Sequence, residues 1–287
     1  MNIVLTGADG YIGSHFPKGY PGLVAISRNR DSGFSNQISI KCFKEYDWSL
    51  LLKDVDCIIH LAEKAHTRKG FDLLADNITQ HIFEQAVKYR VKRFVYVSSA
   101  GVIPYLDSVS LNVPDNMKIK IRNEKMLLDS SENIEVLIIR PALVYSKKPP
   151  GNLKYLFDFI RVFAVSPFGF VNNKKRFLSI YNLIDFIIYS LHINFGNKCV
   201  VNLSDNCHIS TKDFVSQVGH FFNKKVVHVP VPKGLFYFIG KIFGKQSLIE
   251  NLIEDSYGDF DMIFDNFDWQ PKYTLIETLK KDSYLDD

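Results

Sequence analysis

Short apolar and β-branched runs alternate along the first half of the chain with longer stretches of helical periodicity, the pattern of βαβ units stacked into a parallel sheet. The spacing predicts strands over 2–6, 22–27, 56–62, 93–99 and 134–140, and helices over 71–90 and 119–131. Three of the runs, CIIHLA, RFVYVSS and EVLIIR, are nearly continuous in apolar residues. Strands of that kind are covered by helices on both faces. After Pro141 the pattern changes. Pro149, Pro150 and Gly151 interrupt the chain, a helix is predicted over 152–163, and shorter strand–helix pieces run to the end with no internal repeat or low-complexity segment.

Directly after the first strand stands TGADGYIGSH (6–15), a loop punctuated by Gly7, Gly10 and Gly13 with Tyr11 and Ile12 between them. In such a loop Gly7 allows the tight turn, Gly10 the close approach of backbone to a pyrophosphate, and Gly13 the packing of helix against strand. The phosphates would meet N–H groups at the start of the helix. That helix is predicted to be a stub, because Pro17, Gly19, Pro21 and Gly22 follow in quick succession. The expected fold is therefore α/β: a Rossmann-type doubly wound parallel sheet over 1–145, with a smaller C-terminal lobe over 146–287 interleaved with the last sheet strands. Lacking its own glycine loop, the lobe is expected to cover the C-terminal edge of the sheet and supply a substrate pocket.

Composition narrows the class. The chain has 287 residues, 46% hydrophobic and 23% charged, enough for a sizeable core. The longest apolar stretches, such as Leu235 to Gly240, fall short of the roughly 18 residues that span a bilayer, and no cleavable signal precedes the first strand. A cytoplasmic protein without a membrane partner is expected. Cys42, Cys57, Cys199 and Cys207 form no CxxC pair, and no histidines and carboxylates have metal-ligand spacing. Neither disulfide nor metal is therefore expected. With a net charge of +4 and scattered basic residues, a nucleic-acid role is not indicated.

Segment by segment, the chain resembles the extended short-chain dehydrogenase/reductases that epimerise, dehydrate or reduce nucleotide sugars, the NAD-dependent epimerase/dehydratase family. The resemblance runs through TGADGYIGSH (6–15), DVDCIIHLAEKAH (54–66), Asn77, VKRFVYVSSAGV (91–102), IEVLIIRPALVYS (134–146), GNL (151–153), KKRFLSIYNLID (174–185) and FDWQPKYTLIETLKK (267–281). The stretch from RPALVY through SPFGF to RFLSIYNLID looks most like members acting on UDP-activated sugars in surface-polysaccharide synthesis. The resemblance implies that the three glycines hold the pyrophosphate, that Asp47 sits near the adenine, and that Ala62 and Pro141 lie along the cofactor. Asp47 has an alternative role as a helix N-cap. The second strand ends in ISRNR (26–30), where Arg28 and Arg30 stand and no acid precedes Asp31. NADP is thereby favoured over NAD.

In this family the chemistry rests on a serine or threonine, a tyrosine, and a lysine four residues after the tyrosine. The resemblance assigns Ser99 to the hydroxyl position; its alternative is a strand-end serine bonded to backbone. Anchoring VPDNMKIKIRNEKMLL (113–128) on Glu124 places Lys120 at the lysine and Asn116 at the tyrosine. Using Lys118 instead would pair it with Pro114. An amide neither gains nor loses a proton near neutral pH, so Asn116 cannot act as acid or base. Tyr105 and Tyr145 lack the four-residue helical spacing to a lysine and read as packing residues. Ser146 stands where the family usually has glycine.

For the substrate, the resemblance points to Asn152 and to Lys175 or Arg176, an arginine fork being suited to a diphosphate. The alternatives are an N-cap at Asn152 and a solvated turn over Lys174–Arg176. His60 reads as a core histidine. The expected activity is that of an NAD(P)-dependent UDP-sugar epimerase, dehydratase or reductase; the alternatives are a silent relative that binds cofactor or sugar as a sensor or partner protein, and a fold without ligand. A homodimer through the helices at 71–90 and 119–131 is expected from the same resemblance.

Overall fold

The computed structural model describes residues 1–28, 32–62, 77–106, 113–131, 133–244 and 246–281, with the side chains of Asn152, Ser247, Leu248, Phe264 and Asp265 outside that description. The strands are β1 (Ile3–Thr6), β2 (Leu23–Ser27), β3 (Gln37–Ser39), β4 (Cys57–His60), β5 (Arg93–Val97), β6 (Glu135–Pro141), β7 (Leu143–Tyr145), β8 (Val165–Ser166), β9 (Phe177–Ser179), β10 (Lys198–Leu203) and β11 (Val227–His228). The helices are α1 (Ser49–Leu52), α2 (Ile78–Lys88), α3 (Asp115–Asp129), α4 (Gly151–Phe163), α5 (Ile180–Ser190), α6 (Thr211–Phe221), α7 (Lys233–Ile242), α8 (Gln246–Ile253), α9 (Met262–Asn266) and α10 (Leu275–Lys281). No described helix is long and apolar enough to cross a membrane.

The chain divides into two compact units: Met1–Pro141 with Ile184–Leu203, and Ala142–Leu183 with Ser204–Asp287. The first unit is built on a parallel sheet in the order β10-β6-β5-β4-β1-β2-β3, the doubly wound arrangement. Every residue of β1, β4 and β5 is buried, as continuous apolar runs demand when both faces are covered. One core layer packs Val4, Ile58, Phe94 and Val136 of the sheet against Ile82, Phe83 and Ala86 of α2 and Leu127 of α3. In register, Thr6 lies beside Ile26 and His60, and His60 beside Tyr96. The segments leaving β1, β4 and β5 therefore emerge along one edge, where open α/β sheets bind ligands.

Two helix boundaries differ from the spacing. The helix predicted over 71–90 starts at Ile78, where the Asn77 side chain accepts the Gln80 N–H at 3.1 Å and ends the run; residues 71–76 lie outside the described residues. The helix predicted from 119 starts at Asp115, because Pro114 presets the backbone at the N-cap and Asp115 puts negative charge in the first turn. The stub after the glycine loop is a single 3₁₀ turn, Gly13–His15. Strand β3 gives no apolar run to read, being three residues long and at most half-buried.

Arg93 fastens the end of α5 into the first unit. Its guanidinium donates to the carbonyls of Ser190 (2.5 Å) and Ile193 (3.0 Å) and pairs with Glu135 at 2.6 Å. The second unit carries two short parallel pairs, β7–β9 and β8–β11. Its core is aromatic, with Phe177 stacked on Phe214 at 3.8 Å between ring centres and Phe168 on Phe236 at 5.8 Å.

Candidate cofactor and catalytic site

The glycine loop is shaped by what its missing side chains allow. Gly7 has φ +74°, and a Cβ there would lie 2.8 Å from the Ala62 nitrogen. At Gly13 a Cβ would lie 2.2 Å from the Gly7 carbonyl oxygen. Both positions require glycine, one for the turn and one for close packing onto it. Among the described residues, the one near neighbour of a Cβ added at Gly10 is the Gly7 oxygen, at 3.1 Å. Ala62 is half-buried just beyond β4, its N–H 3.4 Å from Thr6 Oγ1. Buried Pro141 ends β6.

Beneath this loop His60 is fully enclosed. Its ring nitrogens share hydrogen bonds with Thr6 Oγ1 (2.8 Å) and Thr79 Oγ1 (3.1 Å), and its ring stacks on Tyr96. Burial, aided by the charge of Lys120, pushes its pKa down to about 3, so it stays neutral. It is a core histidine. The Lys120 ammonium lies 5.9 Å from the Tyr96 ring centre, which directs it toward the same strands.

Helix α3 is clamped in rotation by a buried ion pair. Arg140 of β6 grips Glu124 through Nη2–Oε2 at 2.6 Å and Nε bonds of 3.2 and 3.1 Å to the two carboxylate oxygens. Lys120 lies one turn before Glu124 and Asn116 one turn before Lys120, so the three share a face. The resemblance assigns Asn116 and Lys120 their roles on this face. Lys118 projects elsewhere, exposed and paired with Asp115. Tyr105 lines a groove with Lys118, Ile121 and Lys125, on the opposite side of α3 from Lys120. No tyrosine therefore reaches the place of Asn116 from that segment.

Ser99 follows β5 and caps a 3₁₀ turn over Ala100–Tyr105, its Oγ accepting the Gly101 N–H at 3.1 Å. A Cβ built on Gly101 would lie 3.2 Å from Met117 Cε and 3.3 Å from Ser99 Oγ, so the first turn of α3 closes onto the serine's turn. Asn116 itself is exposed. At the far side of the sheet, exposed Arg28 follows β2, while Arg30 lies outside the described residues. Asp47 accepts from the Ser49 N–H (3.0 Å) and hydroxyl (2.7 Å), holding its carboxyl below the usual range. That is the geometry of the helix-capping alternative.

In the second unit the solvated-turn alternative at Lys174–Arg176 is corrected: Lys175 and Arg176 are buried. Lys175 exchanges backbone hydrogen bonds with Ile209, which holds the segment inside, and burial pulls its ammonium down to about 8 against the opposing charges of Asp255 and Glu254. Arg176 Nη2 meets both oxygens of Asp261 (2.7 and 2.8 Å) and His208 Nε2 (3.0 Å), while its buried Nε has no partner among the described residues. Asn152 is the second residue of α4; the N-cap is Pro150, not Asn152.

A buried polar cluster in the second unit centres on Asp205, a residue that no motif marks. Asp205 accepts from the Tyr145 hydroxyl (2.9 Å), the Ser179 N–H (3.1 Å to each oxygen) and the Asn182 amide (2.6 Å). Tyr145 is thereby committed to structure, buried edge-on to Phe214. Burial outweighs the hydrogen bonds and pushes the Asp205 carboxyl up from 3.8 to about 6. The native state thus holds this proton more tightly than the unfolded chain, so its contribution to stability is complete below about pH 4 and is lost as pH rises through about 6. A rise of that size corresponds to about 3 kcal/mol. Denaturant unfolding at pH 4 and pH 7 is expected to show wild type losing about that much relative to Asp205→Asn; a gap that does not change with pH would refute the assignment.

A family model described as "NAD dependent epimerase/dehydratase family" matches residues 3–195. The UDP-glucose 4-epimerase of Vibrio cholerae is 27% identical over 311 aligned positions, covering 98% of this chain and 94% of that one. The N-acetyl-alpha-D-glucosaminyl-diphospho-ditrans,octacis-undecaprenol 4-epimerase of Escherichia coli O157:H7 is 23% identical, covering 88% and 83%. Among solved structures, the UDP-glucuronic acid 4-epimerase of Bacillus cereus in complex with NAD superposes with a TM-score of 0.72 at 19% identity, covering 98% of this chain and 96% of that one, a likeness of fold. With a family match over two thirds of its length, on the residues that build the sheet and the glycine loop, the chain belongs to the NAD dependent epimerase/dehydratase family.

Proposed function

We propose that the protein binds NAD(H) and a sugar carried on a diphosphate, UDP-linked in the first instance, and modifies that sugar as an epimerase, dehydratase or reductase. The observation that carries this reading is the glycine loop, in which Gly7 admits no side chain beside Ala62 and Gly13 none beside Gly7 and Ala8, at the ligand-binding edge of the sheet. The residues fit the cofactor: the loop backbone would take the pyrophosphate, and Ser99 and Lys120 would fill the catalytic positions that the resemblance assigns them. Because only a three-residue turn follows the loop, binding would rest on the loop's own N–H groups and little on a helix dipole. The bound NAD named for the structural neighbours favours NAD over the NADP that Arg28 and Arg30 suggest.

When bound, NAD supplies hydride acceptance and return at its nicotinamide ring. Ser99 accepts the Gly101 N–H and so keeps its own hydroxyl proton to donate to a sugar oxygen. Lys120 brings positive charge to the same edge, which would stabilise negative charge that develops on the sugar oxygen. In the second unit, the unpartnered Nε–H of Arg176 is available to an acceptor oxygen of the diphosphate. This activity would run in the cytoplasm as a step toward surface polysaccharide, in a dimer joined through α2 and α3; the undecaprenol-linked sugar named for the Escherichia coli relative supports the polysaccharide role.

A second reading, binding without turnover, is favoured by Asn116 on the face it shares with Lys120. Fluorescence titration with NADH, followed by exchange of solvent hydrogen into UDP-sugars, separates the two. Saturable binding with exchange that Ser99→Ala abolishes supports the enzyme; binding without exchange supports the silent relative. Absence of binding at millimolar NADH refutes both.

A further inference from the structure

Helix α7 is apolar on two sides. Its inner side is packed, with Phe236 stacked on Phe168 and Gly240 set against Ile249 of α8. Its outer side presents Leu235, Phe238, Ile239 and Ile242 at helical spacing, Phe238 being 62% and Ile242 60% exposed, and Phe243 continues the stripe. A helix apolar all round belongs in an interior, so the outer stripe calls for a cover. Further exposed apolar residues stand at Val227 and Val229, and Val227 is paired with exposed Val165, which follows exposed Val162 and Phe163 of α4.

Charge decides what that cover is. From Phe222 to Ile249 the sequence holds Lys224, Lys225, Lys233, Lys241 and Lys245 and neither aspartate nor glutamate. Lys224, Lys225 and Lys241 are exposed, and Lys233 pairs with Glu254, which also accepts the Tyr237 hydroxyl. An exposed apolar stripe on a helix that carries exposed Lys241, in a stretch of sequence with lysines and no acid, is the form of an interfacial helix that lies in the headgroup layer of an anionic membrane. A second copy of the chain would fit worse, because a two-fold contact through this face sets lysines against lysines. We infer that the outer face of α7 docks the protein peripherally on an anionic lipid surface.

Co-sedimentation of the full chain with vesicles tests this. Phosphatidylglycerol-containing vesicles are expected to bind at least about tenfold more protein than pure phosphatidylcholine vesicles at about 0.1 M salt, and the difference is expected to shrink at about 0.5 M. Phe238→Glu with Ile242→Glu is expected to lower binding about tenfold or more, and Lys241→Glu alone about fivefold, each with an unchanged circular-dichroism melt. Equal binding to both lipids, or binding to neither, overturns the inference. So does a dimer, seen by light scattering, that the Phe238→Glu/Ile242→Glu variant dissociates, since a second copy would then be the cover.

Discussion

An Asn116→Tyr variant is expected to turn over a UDP-sugar about 10²–10⁴ times faster than the wild-type chain, the usual worth of a positioned general acid–base group. The expectation rests on the rotation of α3, which the Arg140–Glu124 pair fixes. With Glu124 turned inward and Lys120 aimed at Tyr96, the introduced phenol would stand one turn from the lysine on the same face. The ammonium would stabilise the phenolate and bring its pKa toward neutrality. Hence the gain is expected to grow with pH through the titration of that phenol, to be absent in Asn116→Phe, and to vanish when Lys120→Met is added. If Asn116→Tyr gives no increase in a protein that binds NADH, α3 does not present this face to the reacting sugar.

The second large effect concerns the clamp itself. Glu124 is 3% and Arg140 13% exposed, so Glu124→Leu leaves a guanidinium buried without its carboxylate. Breaking such a pair costs about 3–5 kcal/mol, which for a unit of this size lowers the melting temperature on the order of 10 °C. Adding Arg140→Met is expected to recover most of the loss, since an apolar pair of similar volume restores packing without a stranded charge. If Glu124→Leu melts as the wild type does, the pair has no hold on α3, and the argument for residue 116 falls with it.

Much of the first unit was legible because its information is local. Strands β1, β4, β5 and β6 are nearly continuous apolar runs, and the glycine loop reveals itself by spacing alone. Glu124 could be used as an anchor because the helix carries Lys120 and Asn116 at intervals of four. The second unit resisted for the opposite reason. Asp205 draws on Tyr145, Ser179 and Asn182, all far from it along the chain, and no window of sequence shows them together. Lys175 and Arg176 read equally as a solvated turn, since charge ordinarily marks the surface, yet pairing with Ile209 and Asp261 takes them inside. For the stripe on α7 the sequence shows only that LFYFIG is too short to span a bilayer, and exposure is what separates its outer residues from Phe236.

The three-residue turn behind the glycine loop also bears on how the chain folds. With no full helix to build, β1 meets β2 after a short excursion, Ile3 pairing with Leu23, and β2 meets β3 after a shorter one, Ala25 pairing with Gln37. The outer pair of β6 and β10 joins Val136 to Lys198, a far longer separation along the chain. Closing that loop costs about 1 kcal/mol more chain entropy than closing the β1–β2 loop. The N-terminal strands therefore have the lowest contact order in the sheet and are expected to pair early. The crossover that forfeits most of a helix dipole is thus one of the two least costly closures in the sheet.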